Sequence, residues 1–231
     1  DKVLATRPHK VIYQDGDKVW KVFDANYPKT DVLNEALNQA RVEETGLPIP
    51  RVHGVTVNEE GKWAIISDYI EGETLAEKMA KDPENLEKYM KQFVEIQLEI
   101  HDKTAPLLNK MKDKMSVRIN SLKAVNATTR YELSTRLEGM PKHKKVLHGD
   151  YNPTNVVIDK DGKYYILDWS HATQGNASAD AATTYLLLTL QDPKMAEMYM
   201  NMFCVMSVTA KEYVERWLPI VAASRLSKAI P

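Results

Sequence analysis

A single cysteine, Cys204, stands in a chain of 231 residues. No disulfide can close within the chain, and no cysteine-based zinc site can be built. Cys204 sits among Met202, Phe203, Val205 and Met206, so it reads as a small buried hydrophobe. Glycine is scarce as well, with nine residues, and neither the P-loop nor the dinucleotide-binding glycine pattern occurs. No apolar run is long enough to span a bilayer; the longest is Tyr185 to Leu190. Neither sign of charge is in excess: 31 Lys and Arg face 32 Asp and Glu, for a net charge of -1. That balance argues against binding nucleic acid through its phosphates. The run Lys142-His143-Lys144-Lys145 reads as a solvated loop. No signal-peptide pattern is visible at Asp1, so the expected location is the cytoplasm, with no membrane partner.

What is present is an ordinary globular composition, 43% hydrophobic and 27% charged. The length suits one enzyme domain or two small lobes. The first third is rich in strand signals. Lys10 to Tyr13 and Val19 to Phe23 flank Asp15-Gly16-Asp17, a hairpin signal, and Lys2 to Thr6 reads as a preceding strand. Asp31 to Glu44 reads as a helix on the spacing of Leu33, Ala36, Leu37 and Ala40, with Thr30 or Asp31 as cap. Arg51 to Val57 and Lys62 to Ile70 are strand-like again. Helices dominate beyond Gly72: Asn85 to His101, Ser116 to Leu137 with a break, Ser178 to Leu190, Pro193 to Val208 and Lys211 to Leu226. One strand-rich island interrupts them, from Val146 to Asp168.

The chemistry concentrates in that island. His148-Gly149-Asp150-Tyr151-Asn152-Pro153-Thr154-Asn155 is followed by Ile166-Leu167-Asp168-Trp169. Asp150, Asn155 and Asp168 offer oxygen side chains around a strand-turn-strand unit, and such ligands suit magnesium bound together with phosphates. Phosphoryl transfer needs that metal and a carboxylate to orient the attacking hydroxyl.

The run His-Gly-Asp-x-x-x-x-Asn, then an apolar strand ending in Asp-Trp, resembles the aminoglycoside phosphotransferase and choline kinase superfamily. The resemblance implies an α+β, bilobal protein-kinase-like fold. An antiparallel β-rich nucleotide lobe would span 1–70. A mainly helical catalytic and acceptor lobe with an embedded hairpin would span 71–231. It implies Asp150 as catalytic base or hydroxyl-orienting carboxylate, Asn155 and Asp168 as magnesium ligands, and His148 as support for the catalytic loop. Lys21, on the third strand, would pair with Glu35 on the next helix and grip the α- and β-phosphates. Glu43 and Glu44 lie too near Gly46 to serve instead. Backbone groups of Asp68 and Ile70 would bond adenine, and Asp180 would support the site from beneath. The cofactors implied are ATP, with GTP left open, and Mg2+; the partner is a small hydroxylated acceptor. The phosphate-covering turn, Thr6 to Lys10, departs from the pattern of protein kinases because it has no glycine. That departure motivates the alternative, a pseudokinase or nucleotide-binding scaffold. A protein kinase is disfavoured because no Ala-Pro-Glu follows Asp168. His101 reads as a capping or packing residue. Trp169, Tyr185, Tyr199 and Trp217 suggest an aromatic box for a cation, against the plainer reading of core aromatics.

Overall fold

Five antiparallel strands open the chain because short β-branched and aromatic runs alternate with tight turns. The computed structural model describes residues 2–229, with side chains to 227, so Asp1, Ile230 and Pro231 lie outside the described residues. The strands are β1 (Lys2–Arg7), β2 (Lys10–Asp15), β3 (Lys18–Phe23), β4 (Val52–Val57) and β5 (Trp63–Asp68), in the spatial order β1-β2-β3-β5-β4. The β2–β3 hairpin turns on Gly16, whose φ of 62° a residue with a Cβ tolerates poorly.

Helix α1 (Lys29–Glu43) lies between β3 and β4 in sequence and packs on the sheet. Its start differs from expectation. The chain enters through Pro28 with no side-chain cap, and Asp31 sits inside the first turn, where it complements the helix dipole. The buried face is Val32, Glu35, Ala36, Asn38 and Val42, whereas Leu33 and Leu37 are exposed. Turning Glu35 inward rotates those leucines out. Phe23, Val32, Ala36 and Ile65 form the core between helix and sheet, with Tyr27, Val52, Val55 and Trp63 packed around them. Each large apolar side chain buried there contributes about 1.5–3 kcal/mol.

The chain divides into two compact units. The first holds residues 1–78 and 154–171; the second holds 79–153 and 172–231. The hairpin β8 (Val156–Ile158) and β9 (Tyr164–Ile166) groups with the first unit, because β8 pairs with the short β6 (Glu73–Thr74). The Ile166 N–H also donates to the Pro48 carbonyl.

The second unit is built on α3 (Leu86–His101), α4 (Met111–Asn120), α5 (Ala127–Gly139), α6 (Ala177–Thr189), α7 (Pro193–Ser207) and α8 (Lys211–Ala229). Helix α2 (Leu75–Lys81) carries the chain into it. Among the described residues its sheet is the antiparallel pair β7 (Lys145–Leu147) and β10 (Thr173–Gly175). The core is formed by Phe93, Ile100, Tyr199, Phe203 and Trp217, each almost fully buried. Trp169, Tyr199 and Trp217 are buried, in line with the plainer reading of these aromatics as core residues. No helix among the described residues is long and apolar enough to cross a membrane.

Candidate active site

In the first unit, alternation along β3 separates Lys21 from its apolar neighbours Trp20 and Val22. The helical period of α1 brings Glu35 to meet it. Lys21 Nζ donates to Glu35 Oε2 at 2.7 Å and lies 3.6 Å from Asp168 Oδ1. The Lys21 and Glu35 side chains are 16% and 6% exposed, so this pair is screened little by water. Burial alone would lower the Lys21 pKa, but the Glu35 and Asp168 carboxylates outweigh it and hold the amine above its ordinary value.

Asp168 follows the end of β9 and adopts φ 62°, a left-handed backbone that aspartate tolerates better than most residues. Neighbouring contacts fix this turn. The Trp169 indole N–H donates to the Ile166 carbonyl at 2.9 Å, with the ring buried. The Leu167 N–H donates to the Asn155 carbonyl at 2.8 Å. Asn38 of α1 donates to the Ser170 carbonyl at 3.1 Å, so the helix carrying Glu35 is tied to the loop carrying Asp168. Nothing in the sequence marked Asn38 for this task, since its partner is 132 residues away.

These groups line a cavity of about 310 Å³. Leu4, Ile12, Val19 and Ile65 give it apolar walls, Lys21, Glu35 and Asp168 a charged end, and Asp68, Tyr69 and Ile70 an edge strap. The strap is held from within the same unit. The Asp68 N–H donates to the Arg51 carbonyl, and the Tyr69 N–H to that of Asp17. The Asp68 carboxylate accepts from the Arg51 N–H at 2.9 Å and is 2.6 Å from His53 Nε2. Burial would raise the Asp68 pKa, but those two bonds hold it below the usual carboxylate range. Its side chain is thus occupied by Arg51 and His53. Asn155 lies in the same unit and is buried.

In the second unit, the loop after β7 contains His148, Gly149 and Asp150. Asp180, in the first turn of α6, is buried beneath it and accepts three bonds. The His148 N–H donates to Oδ2 at 3.2 Å, the Gly149 N–H to Oδ1 at 2.9 Å, and His101 Nε2 lies 2.8 Å from Oδ2. Burial would raise the Asp180 pKa; the His101 bond, the fields of the His101 and His148 rings and the Gly149 N–H hold it below its ordinary value instead. The His148 ring is fully buried and accepts the Asp150 N–H on Nδ1 at 3.1 Å, which turns the loop at Asp150. Gly149 allows that turn with φ 86°. Tyr151 stacks on Phe93 at 4.3 Å and donates to its carbonyl at 2.6 Å, anchoring the far side of the half-buried Asp150. His101 is more than a packing residue at the end of α3, since it closes the Asp180 network.

The sequence positions therefore fall into two clusters. Lys21, Glu35, Asp68, Ile70 and Asp168 line one cavity, and Asn155 belongs to the same unit. His148, Asp150 and Asp180 form one hydrogen-bonded group in the other. No group of three or more His, Cys, Asp or Glu among the described residues forms a metal cage. A magnesium site of one amide, one carboxylate, phosphates and water needs none.

No curated protein matches the sequence. Among solved structures, the chain is similar to a thermostable mutant of aminoglycoside phosphotransferase APH(4)-Ia in ternary complex with AMP-PNP and hygromycin B. Identity is 15%, TM-score 0.69, and the match covers 99% of this chain and 85% of that one. A choline/ethanolamine kinase family protein from Mesorhizobium loti matches with 14% identity and TM-score 0.64, over 97% of this chain and 76% of that one. The aminoglycoside phosphotransferase APH(3'')-Id from Streptomyces rimosus, in complex with ADP and streptomycin, matches with 16% identity and TM-score 0.62, over 93% and 90%. These likenesses establish the protein-kinase-like fold. The model of the phosphotransferase enzyme family matches residues 9–216, a span that takes in Lys21, Glu35, Asp150, Asn155, Asp168 and Asp180. The chain belongs to the phosphotransferase enzyme family.

Proposed function

We propose that this phosphotransferase moves the γ-phosphate of ATP to a hydroxyl of a small molecule, with magnesium. The observation that carries the reading is the Lys21–Glu35 pair, 3.6 Å from Asp168, at the charged end of a cavity with apolar walls. Apolar walls suit a base, and a lysine amine kept charged by two carboxylates suits phosphates. Lys21 grips the α- and β-phosphates, and Glu35 orients its amine. The backbone of Asp68 and Ile70 bonds the adenine; because the Asp68 side chain and N–H are occupied within the unit, Asp68 takes part through its carbonyl. GTP would use the same strap.

Asn155 and Asp168 would hold Mg2+, which supplies charge neutralisation between the phosphates. The fit rests on their hard oxygen donors and on Asp168 lining the cavity while still 40% exposed. Asp150 orients the acceptor hydroxyl and takes its proton. His148 and Asp180 keep the loop in shape for that task. Residues 1–70 and the hairpin serve the nucleotide, and the remainder of 71–231 serves catalysis and the acceptor. The acceptors to test first are aminoglycoside-like antibiotics, choline-like alcohols, sugars and amino-alcohols; solved structures named with hygromycin B, with streptomycin and for the choline/ethanolamine kinase family support including the first two.

The glycine-free turn before Lys10 favours a second reading, a nucleotide-binding scaffold without transfer. One experiment separates the two. The protein is incubated with ATP and magnesium against a panel of those acceptors, and phosphorylated product is followed by mass spectrometry. A phosphorylated acceptor that requires both protein and magnesium supports transfer. Nucleotide binding with no product from any acceptor supports the scaffold.

A further inference from the structure

The turn between β1 and β2 reads Arg7-Pro8-His9-Lys10. A glycine-rich loop closes over phosphates with successive backbone N–H groups, and this turn has neither the glycines nor, at Pro8, the N–H. It has cationic side chains instead. Arg7 lines the cavity. Lys10 opens β2 opposite Phe23 and directs its amine to the carboxylate that already holds Lys21. Lys10 Nζ lies 3.9 Å from Glu35 Oε1, while Lys21 Nζ holds Oε2 at 2.7 Å. A separation of 3.9 Å is too long for a hydrogen bond, so Lys10 is attracted to Glu35 without being fixed by it. Its other contact is the Phe23 ring, 5.8 Å from the amine.

The Lys10 side chain is only 26% exposed. Burial and the Lys21 charge pull its amine below the ordinary value, with Glu35 and Asp168 offsetting part of that and Arg7 adding to it. Two amines thus compete for the Glu35 carboxylate, and only Lys21 is hydrogen-bonded to it. A partly desolvated amine that no hydrogen bond fixes is unfavourable by itself and favourable once an anion joins it.

We propose that Lys10 is a second phosphate-binding lysine. It leaves Glu35 for the terminal phosphates of the nucleotide while Lys21 stays paired with Glu35. The cationic turn thereby replaces the backbone cradle that the missing glycines would supply. This rests on the phosphotransferase reading and adds the group that holds the outer phosphates.

The test is isothermal titration of adenosine, AMP, ADP and ATP, each with magnesium, into wild type, Lys10→Gln and Lys10→Arg. Glutamine keeps most of the stem on Phe23 and removes the charge, and circular dichroism checks that each variant is folded. Lys10→Gln is expected to bind adenosine and AMP as wild type does. It is expected to bind ATP about tenfold to a hundredfold more weakly, as the loss of a charge-assisted phosphate contact implies. Lys10→Arg, which keeps the charge, is expected to retain most of the ATP affinity. Equal weakening of adenosine and ATP would mean that Lys10 only steadies Glu35. Unchanged ATP binding would mean that it never reaches the phosphates. Either result overturns the proposal alone. A wild-type protein that binds adenosine as tightly as ATP would remove the phosphotransferase reading, and this inference with it.

Discussion

Two carboxylates and two amines set the chemistry at the scale of single residues. Lys21 is held by Glu35 and faces Asp168, so its replacement removes the amine that this hydrogen bond places at the cavity. Lys21→Met is expected to lower kcat/KM by about 10²–10³, the loss found when one preorganised donor to developing charge is removed. A steady-state assay of ADP release checks this, and Glu35→Gln should fall short of that loss because Lys21 itself remains. Asp180 is the structural counterpart. It accepts from His148, Gly149 and His101 while fully buried, so Asp180→Ala is expected to destabilise the protein by about 3–5 kcal/mol at neutral pH. The pH dependence follows from the sign of its shift. The folded pKa lies below the ordinary 3.8. Its stabilisation is therefore complete above the unfolded value and is lost as pH falls through the folded one. Urea titrations at a series of pH values should show the gap between wild type and Asp180→Ala constant from pH 7 to 5 and narrowing below about pH 4.

Short contacts between elements decide whether the first unit holds its hairpin. Gly72 lies so close to β8 that an added Cβ would overlap the Ile158 carbonyl and approach Val157 Cγ1 to 2.9 Å. Gly72→Ala is expected to cost about 1–3 kcal/mol, read by thermal unfolding, because backbone has to move. Helix α2 begins with a reciprocal cap: the Glu77 N–H donates to Thr74 Oγ1 at 3.0 Å, and the Thr74 N–H to Glu77 Oε1 at 3.3 Å. Thr74→Ala is expected to lose about 1 kcal/mol in the same measurement. That Thr-x-x-Glu pattern was legible in the sequence, yet β6 and α2 are too short to show a period and went unassigned. The longer strands and helices were legible because their periods of 2 and 3.6 repeat several times. Helix α4 starts at Met111 rather than Ser116, since Lys112, Asp113 and Lys114 mask the spacing of Met111 and Ile119. The spacing of Leu33 and Leu37 points to a face that the structure leaves exposed, because Glu35 turns inward instead.

At the scale of the whole molecule, the chain crosses between its two units at 78/79, 153/154 and 171/172. Asp150 and Asn155, five residues apart, fall on opposite sides of one crossing. The motif that identifies the family was therefore visible in sequence as one continuous string. Its partners were less visible. Lys21 and Glu35 could be chosen by order and spacing, but His101 and Asn38 depend on contacts 79 and 132 residues away. No local pattern encodes such pairs. Asp150 is proposed to orient the hydroxyl that receives the γ-phosphate. The most direct measurement compares wild type and Asp150→Ala with an acceptor found by the panel, following transfer from ATP and nucleotide binding on the same samples. Transfer is expected to be abolished while the fold and most of the ATP affinity persist. Transfer at the wild-type rate by Asp150→Ala would contradict that role for Asp150.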